Sequence, residues 1–342
     1  MNTSRSLRVG HSLVRRCFML VLVLAVGAAF APLRSAHAAS KKNEAADKIV
    51  ISGASGGLAG ETIDALLERG VSIDKLILVT RTPEKLASLA TRGATVRTGD
   101  FNKPDTLPAA FAGGRQLLLI STSGGGDRVV QHTAAISAAR RAGIRYIVYT
   151  SWINPVDDNP AVVTHDHAMT EDALKKSGVA YTILRNQLYA DLLIEQGAQA
   201  IASGQIISNS GRGKWAPVAR RDCATAAAAV LATAGHEGRV YDITGPDLIS
   251  QQDFAALLTS VTGKSVRVID VDSSTYVATL KGAGVPEADA KMAASFGEAT
   301  RANFLNIKSE TLQLLIGRKP QSVRELLTAS KSQLLAPAPS AN

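Results

Sequence analysis

From Lys48 onward the chain alternates short apolar runs with longer stretches in which apolar residues recur every three or four positions. The runs at 48–52, 75–80, 94–98, 115–121, 145–150 and 180–184 are bounded by Gly, Ser or Thr and read as strands. Between them, 57–69, 83–91, 105–111, 127–142 and 166–177 carry helical spacing. Leu117-Leu118-Leu119-Ile120 is apolar without a break, as a strand covered on both faces should be. This rhythm predicts an α/β fold, a doubly wound parallel sheet of the Rossmann type over 47–190.

After about residue 190 the rhythm changes. Residues 204–220 are rich in Gly and Ser, 222–234 read as an Ala-rich helix and 239–243 as a strand. Ser250 is expected to cap a helix that ends near Gly263, and Asp253, three residues on, comes close to a capping box. A strand at 265–270 and several helices follow. Together they predict a smaller α/β lobe over 191–335, with 222–246 packing back on the Rossmann sheet.

Composition sharpens this picture in two places. With 46% hydrophobic and 20% charged residues the 342-residue chain is globular, but aromatics are only 4%, so the core must rest on aliphatic side chains. The formal charge of +9 overstates the basic character. Five of those charges are Arg5, Arg8, Arg15, Arg16 and Arg34, in a stretch of 38 residues without an acid. What remains is an ordinary surface, and nucleic acid is not an expected partner.

That stretch, 1–38, has the layout of an export signal: a basic segment, an apolar run from Cys17 to Ala31, and Ala36-His37-Ala38 as a small-x-small cleavage site. The run is shorter than the roughly 20 residues of a spanning helix, so a retained N-terminal membrane anchor is the secondary reading and no span is expected after cleavage. Arg15-Arg16-Cys17-Phe18 resembles the twin-arginine pattern, although Val14 stands where Ser or Thr is usual. The expected location is the periplasm. Cleavage would leave Cys223 as the single cysteine, which excludes an intrachain disulfide, and no Cys/His spacing suggests a metal.

The chemistry begins where the first strand runs into Gly53-Ala54-Ser55-Gly56-Gly57-Leu58-Ala59. Gly53 permits a tight turn, Gly56 lets the backbone approach a diphosphate, and Ala59 lets the helix pack closely. The helix start then offers free N–H groups to phosphate. The second strand ends at Arg81, where an NAD site would carry an acid, so NADP(H) is the expected cofactor, with Lys85 adding charge. A solvated surface arginine is the alternative. Asp100 and Phe101 follow the third strand and are expected beside the adenine, unless Asp100 caps a helix.

At the other end, Ser121-Thr122-Ser123 and Thr150-Ser151 close strands four and five, at the carboxyl edge where such sheets bind ligands. Gly124-Gly125-Gly126 is either part of that site or a plain solvent loop. No Tyr-x-x-x-Lys exists on the next helix, where His167 and Glu171 share a face. His167 is expected to bond the ribose or to donate a proton near neutral pH, with a capping or surface role as the alternative. Lacking the tyrosine–lysine pair, the chain suits an acceptor such as a quinone, whose reduced form water can protonate.

Several of these segments occur together in a known family. Ser52 to Leu58, Val79 to Lys85, Leu118 to Ser123, Gln131-His132, Tyr149 to Ser151, His167 with Thr170-Glu171, Tyr181 to Asn186, Gly235 to Gly238 and Ile316 to Arg318 carry the resemblance. The chain resembles the NmrA-like atypical short-chain dehydrogenases over about 48–330, most of all their bacterial NAD(P)H:quinone oxidoreductases. The resemblance implies a Rossmann domain with a small C-terminal lobe and NADP(H) in the cleft. It implies that Gly53 to Leu58 hold the diphosphate, that Arg81 meets the 2′-phosphate, and that Ser121, Thr122, Thr150 and Ser151 lie along the cofactor. Asn186 would sit near the nicotinamide and Tyr189 would face the substrate.

The leading expectation is an NADPH-dependent oxidoreductase acting on a quinone-like small molecule. A non-catalytic NADP(H) sensor is the alternative, and a different enzyme with tightly held NADP is a third. A second copy of the chain, as a homodimer, is the one macromolecular partner entertained. The resemblance departs on location, since members are usually cytoplasmic.

Overall fold

The computed structural model describes residues 47–122 and 127–336. The expected export signal, with Cys17, and Ser123 to Gly126 lie outside the described residues.

The first half alternates as the apolar pattern predicts. β1 (Lys48–Ser52), α1 (Gly57–Glu68), β2 (Leu76–Thr80), α2 (Ala87–Thr91) and β3 (Thr95–Thr98) are followed by α3 (Leu107–Phe111), β4 (Gly114–Leu119) and α4 (Arg128–Arg141). Then come β5 (Tyr146–Trp152), α5 (Thr164–Lys176) and β6 (Ala180–Asn186). The second half contains α6 (Leu192–Ser203), β7 (Gln205–Ser208), α7 (Arg220–Ala232), β8 (Arg239–Ile243), α8 (Gln251–Thr262) and β9 (Arg267–Asp270). It closes with α9 (Ser273–Gly282), α10 (Glu287–Arg301), α11 (Thr311–Ile316), α12 (Val323–Ala329) and α13 (Lys331–Leu334).

Seven strands form one sheet in the order β3-β2-β1-β4-β5-β6-β8, and every neighbouring pair is parallel. This is the doubly wound Rossmann order with one strand added at the edge. Period-two alternation sorts the strand side chains between two cores. Ile49, Ile51, Leu76, Leu78, Leu118 and Leu184 face α1 and α7. Val50, Ile77, Leu117, Leu119, Ile147 and Ile183 face α3, α4 and α5. All five residues of β2 are buried. Covered on both faces, such a strand has no polar side, which is why its sequence is continuously apolar.

β8 pairs with β6 across more than fifty intervening residues, and α7, which precedes it, packs on α1. α7 is rich in Ala because it lies close to the sheet. Cys223 on it is buried, and burial pushes its thiol well above the ordinary range. The remaining elements build a third core around Trp215, Phe254, Leu258, Leu305 and Leu327, with β7 and β9 as a two-stranded parallel sheet. The start of α8 closes as a full capping box. Ser250 Oγ accepts from the Asp253 amide at 3.1 Å, and the Asp253 carboxylate accepts from the Ser250 amide at 2.9 Å. Such a cap contributes about 1 kcal/mol.

Candidate functional site

β1, β4, β5 and β6 all end at one edge of the sheet, and a cleft of about 390 Å³ opens there. Its floor at one end is the turn after β1. Gly53 turns the chain at φ +61°, a conformation that costs a residue with a Cβ about 1–2 kcal/mol. A Cβ on Gly56 would stand 3.2 Å from the Gly53 carbonyl oxygen, so glycine keeps this surface flat. The amides of the turn divide into two sets. Ala54 donates to the Val79 carbonyl at 3.0 Å and Gly56 to the Gly53 carbonyl at 2.9 Å.

This corrects the assignment of Ala54 as a ligand-binding residue. Its N–H is already used to fasten the turn to β2, and its methyl is buried in the core. The amides of Ser55, Gly57 and Leu58 have no partner among the described residues and face outward at the start of α1. With no side-chain cap and no acid in its first turn, the start of α1 fits a diphosphate supplied from outside.

Arg220 was not singled out from the sequence, yet it belongs here. It opens α7, is bound by Glu61 at 2.9 Å, and its backbone amide donates to Asp191. Its guanidinium lies where a Cβ on Gly57 would come within 3.2 Å. A second cluster joins the turn to the end of β2. Ser55 Oγ and Thr80 Oγ1 are 2.8 Å apart, and Thr82 Oγ1 donates to Ser55 at 3.3 Å. Beside it in the chain, Arg81 and Lys85 are exposed and carry no partner among the described residues. Neither lines the cleft itself. Asp100 accepts from the Asn102 amide at 3.0 Å, which stiffens the loop after β3, and Phe101 lies edge-on to His132. Asp100 does not cap α3, whose N-cap is Thr106.

The other end of the cleft is built from side chains. It brings together Ser121, Thr122, Thr150, Ser151, His167, Asn186 and Tyr189 with Ile120, Trp152, Met292 and Phe296. Thr150 Oγ1 accepts from the Ser121 amide at 3.0 Å, which ties the ends of β4 and β5. Ser151 donates to Glu171 at 2.8 Å, so its oxygen is left to accept from a ligand. Glu171 is buried, and Arg185 grips it with two hydrogen bonds of 2.9 and 2.7 Å. Trp152 and Phe296 stack with ring centres 5.0 Å apart and planes at 21°. Of the five buried side-chain polar atoms without a partner among the described residues, two, Trp152 Nε1 and Asn186 Oδ1, belong to residues that line the cleft. The signal for Met292 and Phe296 was absent from the sequence. They sit four apart on α10, more than a hundred residues beyond Asn186.

Burial sets the charge states. His167 and His132 are both lowered to about 3, first by desolvation and then by the Arg128 cation. Both rings are neutral at pH 7. The expectation that His167 protonates acceptors as an acid near neutral pH is therefore corrected, because its imidazolium form is not populated there. Burial raises the Tyr189 hydroxyl far above its ordinary value, so it stays protonated, accepting from Asn186 Nδ2 at 3.4 Å. Among the described residues no group of three or more His, Cys, Asp or Glu side chains could hold a metal, and no helix is long and apolar enough to cross a membrane.

This geometry has counterparts. A family described as NAD(P)H-binding matches residues 53–234. The chain is similar to quinone oxidoreductase 2 of Escherichia coli K12, with 36% identity over 277 residues, covering 81% of this chain and 96% of that one. The crystal structure of the NADPH-dependent quinone oxidoreductase of Escherichia coli complexed with NADPH superposes with a TM-score of 0.79, covering 82% of this chain and 99% of that one. Triphenylmethane reductase of Citrobacter sp., complexed with NADP(H), gives a TM-score of 0.78 at 34% identity, covering 83% of this chain and all of that one.

Proposed function

We propose that this chain, which belongs to the NmrA-like family of NAD(P)H-binding proteins, passes hydride from NADPH to quinones or similar planar electrophiles. It is an oxidoreductase and its cofactor is NADP(H). The observation that carries the acceptor class is the pairing of a bare phosphate cradle with an apolar, aromatic-walled space in one cleft.

NADPH, when bound, supplies hydride. The chain's own part is to hold and to exclude. The free amides of Ser55, Gly57 and Leu58 take the diphosphate, and Arg81, Lys85 and the Ser55–Thr80–Thr82 hydroxyls stand where a 2′-phosphate would be read. Asp100 and Phe101 flank the adenine side. Ser121, Thr122, Thr150, Ser151 and Asn186 line the path to the reacting end, where Trp152, Phe296 and Met292 offer a flat apolar wall to the acceptor. No strong acid is needed, because a hydroquinone anion is a weak base that water protonates. Catalysis rests on holding donor and acceptor in contact.

Anaerobic steady-state oxidation of NADPH against a series of quinones tests this. Turnover with small aromatic quinones, and a preference for NADPH over NADH, is expected. Tight NADPH binding without turnover of any acceptor would instead support the sensor role.

We further propose that residues 1–38 direct export to the periplasm by the twin-arginine route, which carries folded proteins and so would deliver the chain with its nucleotide loaded. The support is the order of basic, apolar and small-residue segments. Export that persists when that route is blocked would refute it.

A further inference from the structure

Behind the cleft lies a run of buried polar groups whose hydrogen bonds leave little freedom in where the protons sit. It starts on the backbone. The Thr122 amide donates to His132 Nε2 at 3.0 Å, and an amide can only donate, so that nitrogen carries no proton. His132 is neutral and buried, so its proton is on Nδ1. Thr170 Oγ1 lies 3.1 Å from that Nδ1 and spends its own proton on the Asp166 carbonyl at 2.7 Å, so the hydroxyl accepts from His132.

Tyr149 comes next. Its hydroxyl is 3.4 Å from the same protonated Nδ1 and 2.8 Å from His167 Nδ1. The first neighbour is a donor, and Thr170, which also stands by this hydroxyl, already accepts from His132, so the tyrosine directs its proton to His167 at 2.8 Å. Burial raises the Tyr149 hydroxyl well above its ordinary range, so that proton stays on. His167 Nδ1 is therefore an acceptor, and the proton of this neutral ring is on Nε2. Nε2 has no hydrogen-bond partner among the described residues, and His167 lines the cleft.

We propose that His132 and Tyr149 are positioning residues that hold His167 as its Nε2–H tautomer, presenting a neutral N–H donor to acceptors whose charge develops on a carbonyl oxygen. The inference rests on the quinone reading of the cleft for its chemistry, and on the hydrogen bonds, with the burial that keeps both rings neutral, for the tautomer. Hydride delivers two electrons and one hydrogen to the acceptor, leaving NADP+ and a hydroquinone anion. The His167 N–H stabilises that oxyanion without giving up its proton, and water supplies the second hydrogen. A neutral donor suits this task, since it need not be recharged between turnovers. The same donor is of no use to a cationic acceptor. A triphenylmethane dye, which the Citrobacter relative reduces, is neutralised by hydride and develops no oxyanion.

Two measurements test the proposal. The first needs no turnover. In full-length mature protein carrying 15N-labelled histidine, long-range proton–nitrogen spectra at neutral pH should show His167 as Nε2–H and His132 as Nδ1–H, with His167 assigned by loss of its signals in His167→Gln. The Tyr149→Phe variant should move His167 toward a mixture of tautomers. The second compares substrates. Tyr149→Phe and His167→Leu, the latter without the N–H that glutamine would keep, should lower the ratio of kcat/KM for benzoquinone to that for a triphenylmethane dye by about 10- to 100-fold. An Nδ1–H signature for His167, or an unchanged ratio, would overturn the proposal, and the wild-type spectrum stands even where a variant does not fold. Wild-type protein with the expected spectrum but without quinone turnover would remove the quinone reading and leave the tautomer assignment supported.

Discussion

The two ends of the cleft are made of different material. At the end proposed for the diphosphate the surface comes from the backbone: one turn, six consecutive residues, three free amides and a helix start. At the acceptor end it comes from side chains drawn from β5, α5, β6 and α10, spread over some 150 residues. The first depends on what is left out, namely Cβ atoms and a competing cap. The second depends on what is brought in, and from how far. A nucleotide shared by many proteins can be held by a local motif, whereas the acceptor, which differs among relatives, is met by parts that can vary independently.

The sharpest way to break this contrast is to put a side chain where the backbone must be bare. Gly56→Val should weaken NADPH binding by more than about 100-fold, roughly 3 kcal/mol, in calorimetric titration, with the fold retained by circular dichroism. Binding within threefold of wild type would show that the cradle does not depend on its flat surface.

Next comes the pH response, which belongs to the acceptor end alone. His132 and His167 are lowered to about 3 in the folded protein, so below their ordinary pKa of 6.5 the unfolded chain takes up protons that the folded chain refuses. Stability is complete above about pH 6.5 and falls as the pH drops toward 3, by roughly 2 kcal/mol per ring at pH 5. Chemical denaturation between pH 7 and pH 5 should show this slope, and His167→Gln should halve it. A flat response would mean that the rings are not neutral in the fold.

A smaller effect sharpens the division of labour. Phe296→Ala removes one wall of the Trp152 stack and should raise KM for an aromatic quinone about 10-fold while leaving the NADPH dissociation constant within twofold. A matching loss of NADPH affinity would show that the two ends are not separable. The smallest effect is expected of Arg81→Ala. Its side chain is solvated, so the preference for NADPH over NADH should narrow by a few-fold to about 10-fold in competitive binding.

The same contrast explains what could be read from the chain before the fold was known. The order of strands and helices through β6 follows from period-two and period-3.6 patterns, and the Ser250–Asp253 cap from a spacing of three. The phosphate turn was legible because glycine needs no context to be informative. His167 and Asn186 were legible as positions at strand and helix ends, but the protonation state of His167 was not, because burial is a property of the assembled core. Arg220, Trp152, Met292 and Phe296 escaped altogether. Trp152, Met292 and Phe296 reach the cleft, and Arg220 the turn beside it, through a helix or strand end whose own pattern does not record that position. Ala54 differs for the opposite reason, since it sits among residues whose amides are free while its own amide is tied to a strand twenty-five residues away.

The placement of α10 also bears on how the protein comes into being. A nascent chain leaves the ribosome from its amino end, and the turn after β1 emerges together with β2, about 140 residues ahead of Arg220. The seventh strand must wait for residue 243, and the wall carrying Met292 and Phe296 for another fifty residues. The turn is thus synthesised well before the wall, and a chain halted between the two would carry one end of the cleft without the other.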